Sequence, residues 1–194
     1  MLICDSHKFI FIHVPRTGGT SISELCDRLQ LKTREPFRKH TYSSAEVAQN
    51  IPFQQYTTFA FVRNPWARFY SWYTLFAKFN PRKEQETFTF DQFLANYERI
   101  AKSYGMGNVF LFNQLDCLRN KDGNLITTLI GRYETYAHDV VQIFQQFGIE
   151  VDQLPHLNKA TDVDYRNQYS HFANQWIENY CAEDIAYFGY QFDG

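Results

Sequence analysis

The sequence has no dominant charge, no long apolar run and no paired cysteine spacing, and each absence removes a class of function. Its 19 basic and 21 acidic residues leave a formal net charge of −2. No global electrostatic footprint for nucleic acid or an anionic membrane follows from that balance. The longest apolar runs are strand-sized and fall far short of a bilayer crossing. Met1-Leu2-Ile3-Cys4-Asp5-Ser6-His7-Lys8 lacks the basic start and extended apolar stretch of a signal peptide. Cys4, Cys26, Cys117 and Cys181 lie far apart, without metal-ligand spacing, and read as buried reduced thiols of a cytoplasmic protein. No internal repeat, low-complexity segment or Gly/Ser/Pro-rich linker interrupts residues 1–194, which read as one domain.

What the chain does contain is apolar and aromatic. With 194 residues, 44% apolar and 21% charged, it is globular in composition and long enough to bury a core without disulfides or a structural metal. Aromatic residues make up 18%, a surplus suited to core packing and pocket walls.

Apolar strands alternate with helical segments. Lys8–Val14 is short, β-branched and aromatic, and predicts a buried strand that stops at Pro15. After Arg16-Thr17-Gly18-Gly19, Thr20 or Ser21 followed by Glu24 predicts a capping box opening a helix toward Leu31. Thr57–Val62 predicts a second strand, with Arg63-Asn64-Pro65 leading into a helix that runs towards Phe79. A helix over Phe90–Ala101, a third strand over Leu125–Ile130, a helix over Tyr136–Phe147 and one or two helices over Tyr169–Phe188 complete the pattern. The alternation predicts an α/β domain of three layers, a central parallel sheet with helices on both faces.

The chemistry concentrates in the first strand–loop–helix unit. A glycine loop before a helix exposes unpaired backbone N–H groups and the positive end of the helix dipole, an anion site. Gly18 and Gly19 permit close approach, Thr17, Thr20 and Ser21 carry hydroxyls, and Arg16 adds a guanidinium fork. The plainer alternative is a tight turn that caps a helix. The loop is not the Gly-x-x-x-x-Gly-Lys-Ser/Thr of nucleotide kinases, and neither later strand ends in an aspartate for magnesium, which disfavours phosphoryl transfer from ATP. Arg63, at the carboxyl end of a strand, points to the crevice where open α/β sheets bind ligands. Ser71 follows eight residues later, a little over two helical turns, so that guanidinium and hydroxyl can form a phosphate clamp. An Arg63 paired with a carboxylate and a solvent-facing Ser71 is the alternative.

The segment Phe11-Ile12-His13-Val14-Pro15-Arg16-Thr17-Gly18-Gly19-Thr20-Ser21 resembles the 5′-phosphosulfate loop of the sulfotransferases that use 3′-phosphoadenosine 5′-phosphosulfate (PAPS). Phe61-Val62-Arg63-Asn64-Pro65-Trp66-Ala67-Arg68-Phe69-Tyr70-Ser71 resembles their 3′-phosphate segment. Gly131-Arg132-Tyr133-Glu134 and Leu154-Pro155-His156-Leu157-Asn158-Lys159 are similar to segments of the carbohydrate-sulfotransferase-like branch. The resemblance implies a P-loop-like fold and metal-free, in-line sulfuryl transfer from PAPS to an acceptor hydroxyl, on a carbohydrate or glycolipid. It implies that Gly18, Gly19, Thr17, Thr20 and Ser21 hold the 5′-phosphosulfate, that Arg16 stabilises the leaving group, that Arg63 and Ser71 read the 3′-phosphate, and that Tyr133 lies near the adenine. The family has Lys where this chain has Arg16, which exchanges a mobile point charge for a planar fork.

The acceptor's proton needs a base, and histidine suits neutral pH. His40 follows the first helix where this branch carries a histidine base, the alternative being an ordinary loop histidine beside Arg38 and Lys39; Glu35 is a weaker substitute. His13 reads as a core histidine, His7, His138 and His171 as surface groups, and His156 as a contact to acceptor or cofactor. Arg132, Asn158 and Lys159 are polar groups that could border the site. Lys32, Arg34, Arg38 and Lys39 form a basic cluster that could welcome an anionic acceptor or be merely solvated. Two other readings stand beside the enzyme: a P-loop small-molecule kinase, and a non-catalytic nucleotide-binding protein of the same fold, which the arginine at position 16 favours.

Overall fold

The computed structural model describes residues 1–35, 52–79, 88–103, 111, 113–154 and 164–193. Phe9–Ile12 and Thr57–Val62 are strands, the first two residues shorter at its end than the sequence pattern suggests because Pro15 and the glycine loop draw the chain out of the ladder. They pair in parallel, Phe11 opposite Phe59 and Ile12 opposite Ala60. Both faces of this pair are buried, which is why both strands are nearly continuous apolar runs.

Five strands form one sheet. In chain order they are β1 (Leu2–Cys4), β2 (Phe9–Ile12), β3 (Thr33–Arg34), β4 (Thr57–Val62) and β5 (Leu129–Arg132), arranged β3-β1-β2-β4-β5. The expected parallel sheet is a mixed one. β2, β4 and β5 run parallel, but β1 folds back on β2 as an antiparallel hairpin and carries β3 antiparallel on its outer side. At that edge Arg34 donates to Asp5 at 2.8 Å, and the Tyr56 hydroxyl donates to the same carboxylate. Arg34 is thus part of a surface brace, and Asp5 is held down to about 2, first by those hydrogen bonds.

The third strand is displaced from its predicted place. Leu125 makes an isolated antiparallel bridge to Arg119, the Asn120 side chain accepts from the amides of Asp122 and Asn124, and Ile126 N–H goes to Leu118 O at 2.8 Å. These bonds shape a turn, so pairing with β4 starts only at Leu129, opposite Phe59.

The helices are α1 (Gly19–Arg28), α2 (Pro65–Phe79), α3 (Phe90–Ala95), α4 (Tyr97–Ser103), α5 (Gln114–Leu118), α6 (Tyr136–Gln145), α7 (His171–Tyr180) and α8 (Ala182–Phe188). The single helix expected over Phe90–Ala101 is two, broken at Asn96, whose side chain donates back to Gln92 O. The first helix ends at Arg28 rather than Leu31. Among the described residues, no helix is long and apolar enough to cross a membrane.

The chain forms two compact units. Residues 1–63 and 114–159 hold the sheet. Phe9, Phe11, Phe59 and Phe61 project from it against Ile22, Leu25 and Cys26 of α1 and Val140, Ile143 and Phe144 of α6. Residues 64–113 and 160–194 form the second unit, where much of the aromatic surplus is spent on core packing. Phe69 packs against Tyr97, Trp176 and Tyr180 with ring centroids 4.9, 5.3 and 5.7 Å away. Asn64 opens α2 by accepting from Trp66 N–H at 3.0 Å, with Pro65 at the position where a missing N–H costs nothing. All four cysteines are buried and unbridged, in line with the reduced-thiol expectation.

Candidate functional site

The loop between β2 and α1 is shaped by backbone geometry before any ligand is considered. Arg16 has φ +68° and Gly18 has φ +87°, so the chain turns through two left-handed residues and enters α1 with Gly18 as N-cap. No side chain caps the helix, and the expected capping box is absent: α1 already starts at Gly19, which puts Thr20 and Ser21 inside its first turn. The first-turn amides of a ten-residue helix therefore face the loop without a side-chain acceptor from the cap.

The glycines are also required by their neighbours. A Cβ on Gly18 would lie 2.7 Å from Cε2 of Tyr136, and one on Gly19 only 2.1 Å from Cδ2 of His13. The core reading of His13 is right, and its ring also takes the space beside Gly19. Tyr136, the first residue of α6, donates its hydroxyl to Gly18 O at 2.7 Å. Burial pushes this phenol's pKa up, so it stays a donor. The Tyr136→Phe variant keeps the ring and loses that donor. It is expected to cost about 1 kcal/mol in denaturant unfolding; unchanged stability would mean that the ring alone holds the loop.

The hydroxyls divide. Thr17 is fully buried and donates to Val14 O at 2.8 Å, which commits its proton to bracing the loop. Ser21 is buried beside Tyr136, whereas Thr20 is exposed on the first turn.

Arg63 leaves the carboxyl end of β4 on the loop's side. Its Nη1 donates to Arg16 O at 3.4 Å, and its guanidinium lies 4.2 Å from the Tyr133 ring centroid. Tyr133 therefore serves as a platform for Arg63, a role that the sequence did not suggest. Arg16 is half-buried and its pKa is pushed down to about 10, first by burial and then by the neighbouring Arg63 charge. Both guanidiniums remain protonated at neutral pH. Two like charges held beside a helix N-terminus form a site whose electrostatics improve when an anion arrives.

The structure thus brings Arg16, Thr17, Gly18, Gly19, Thr20, Ser21, Arg63 and Tyr133 together in the first unit. Ser71 is half-buried on α2 in the second unit. His40, His156, Asn158 and Lys159 lie outside the described residues, as do Arg38 and Lys39. Glu35 is described and exposed; Arg132 is exposed, with its amide donating to Asp139 at 2.7 Å. Sequence reasoning missed Tyr136 and Gln114. The Gln114 carboxamide is fully buried, accepting from Arg63 N–H and donating to Arg63 O, each at 2.8 Å.

A family model described as the sulfotransferase family matches residues 1–191, and the chain belongs to that family. A protein of Archaeoglobus fulgidus, itself described only as uncharacterized, is 29% identical over 115 residues, 59% of this chain and 86% of that one. Among solved structures, mouse sulfotransferase SULT7A1 complexed with PAP has a TM-score of 0.49 and 15% identity, covering 94% of this chain and 86% of its own. A sulfotransferase from Alicyclobacillus acidocaldarius has a TM-score of 0.46 and 15% identity, covering 96% and 97%.

Proposed function

We propose that this sulfotransferase-family protein moves a sulfuryl group from PAPS to an acceptor hydroxyl, on a carbohydrate or glycolipid. The observation that carries the proposal is the reach of the Arg63 guanidinium to the glycine loop, where it donates to Arg16 O at 3.4 Å and its charge acts on that of Arg16. The residues fit such a donor: an uncapped helix N-terminus for one phosphate group and a second cation for another. The donor supplies an activated sulfur whose bond to the 5′-phosphate oxygen breaks as a bond to the acceptor oxygen forms. Arg16 and the first-turn amides of α1 then hold the charge that grows on the leaving phosphate. Arg63 reads the 3′-phosphate, and the resemblance gives Ser71 as its partner. His40 takes the acceptor's proton in this reading. Family membership supports this reading over the kinase alternative.

The test is nucleotide discrimination. Wild-type protein is expected to melt higher with 3′-phosphoadenosine 5′-phosphate (PAP) than with adenosine 5′-phosphate (AMP). The Arg63→Ala variant should lose about tenfold to a hundredfold in PAP affinity and, with it, the difference. Equal shifts from both nucleotides in the wild type would end the 3′-phosphate assignment. PAP binding without transfer to any acceptor in a broad sugar panel would return the non-catalytic reading.

A further inference from the structure

Arg63 stands just past the end of its strand. The last β4–β5 pair is Val62 with Arg132, and Tyr133 N–H already takes Val62 O at 2.8 Å. The Arg63 amide and carbonyl therefore need partners beyond the ladder, since buried backbone polar groups left unpaired are costly. The carboxamide of Gln114 supplies both at once, one oxygen accepting and one nitrogen donating at 2.8 Å each. It acts as a one-residue surrogate strand.

Gln114 is itself firmly placed. Leu115, Cys117 and Leu118, which follow it on α5, are fully buried. Leu118 O accepts from Ile126 N–H at 2.8 Å, and two residues on, Thr128 N–H reaches the Thr58 hydroxyl at 2.9 Å. Thr58 belongs to β4, the strand that delivers Arg63. The path from β4 through residues 126–128 and α5 back to Arg63 is closed by hydrogen bonds at both ends.

We infer that Gln114 is a positioning residue for nucleotide recognition: its carboxamide fixes the Arg63 backbone, from which the guanidinium reaches over Tyr133 and to the glycine loop. The inference rests on the reading of Arg63 as the 3′-phosphate contact. Gln114 touches no nucleotide; it acts through Arg63, so its effect falls on the 3′-phosphate and spares the 5′ end.

Two variants test it, titrated with PAP and with AMP. Gln114→Met keeps the length and removes both hydrogen bonds. Gln114→Glu keeps the acceptor for Arg63 N–H and sets a second acceptor against Arg63 O. In each, PAP affinity is expected to fall about tenfold while AMP affinity stays within about twofold, so their ratio shrinks. A purely structural role would weaken both nucleotides by the same factor; that result, or an unchanged ratio, overturns the inference alone. A wild type that binds PAP and AMP equally overturns the reading beneath it as well. If neither variant folds, hydrogen exchange on the wild type decides: PAP should slow the Arg63 amide and AMP should not, and equal protection overturns the inference.

Discussion

Replacing Arg16 with glycine is expected to leave the fold at least as stable as before while lowering sulfuryl transfer about a hundredfold to a thousandfold. The two effects part because Arg16 holds a conformation that its side chain disfavours. At φ +68° a residue with a Cβ gives up roughly 1–2 kcal/mol relative to a right-handed one. Glycine adopts that φ freely but costs roughly 0.5–1 kcal/mol through its looser unfolded chain. The balance runs from nothing to about 1.5 kcal/mol in glycine's favour, and removing one guanidinium also relieves the repulsion from Arg63 that, after burial, helps push the Arg16 pKa down. The loss in rate has a different origin. Among the described residues, the proposed mechanism assigns no other side-chain charge to the leaving phosphate. Arg16→Lys keeps the charge without the fork and should fall between glycine and wild type. Urea unfolding and single-turnover transfer at saturating PAPS measure the two quantities separately. A destabilised Arg16→Gly variant would make the guanidinium a structural brace; full activity in it would remove Arg16 from the chemistry. Backbone strain at a functional residue, kept despite its cost, is what the proposal requires.

The parts of this fold that could be read from sequence are those fixed by local pattern. β2 and β4 are apolar on both faces, so composition alone marks them as buried and parallel. The glycine loop between a strand and a helix was legible, and so was Arg63 as a cation at a strand's carboxyl end. The mixed character of the sheet was not. β1 and β3 have three and two residues, too few to show a period, and their place depends on pairing and on the Arg34–Asp5–Tyr56 brace. β5 was misplaced because Leu125–Thr128 has strand composition while its donors are drawn to Leu118 and Thr58.

Within the first unit the structure gathers the loop residues, Arg63 and Tyr133, and gives two of them contacts that sequence spacing did not reveal. Thr17 spends its proton on Val14, and Tyr133 lies under Arg63. The residues that lock the loop and the cation are distant in sequence: Tyr136 is 118 positions from Gly18, and Gln114 is 51 from Arg63. No spacing rule reaches that far. One local signal was available in retrospect, since Gly18 and Gly19 side by side suit neighbouring rings as well as a ligand.

That double role makes Gly19→Ala the substitution with the largest expected effect on stability. At the first position of a helix, with no left-handed φ to satisfy, alanine would ordinarily improve stability by about 0.5–1 kcal/mol. Here its Cβ would meet His13 at 2.1 Å from Cδ2 and 2.2 Å from Nε2. His13 has little room to yield: only 5% of it is exposed, and its ring stacks on Phe11 with centroids 5.6 Å apart. Phe11 in turn belongs to the core beneath α1. Overpacking of this kind costs about 1–3 kcal/mol and occasionally more, which outweighs the propensity gain. With a net cost of about 1–2 kcal/mol, the melting temperature should therefore drop by roughly 2–8 °C. The sign of the effect should reverse in a second background. His13→Ala clears the contact at its own cost in lost packing, and adding Gly19→Ala to it should then be neutral or stabilising, because only the helix preference remains. Thermal unfolding of the wild type, both single variants and the double variant supplies the cycle. If Gly19→Ala costs the same with and without the His13 ring, the clash is not what keeps glycine there, and the demand for close approach must come from the anion side of the loop.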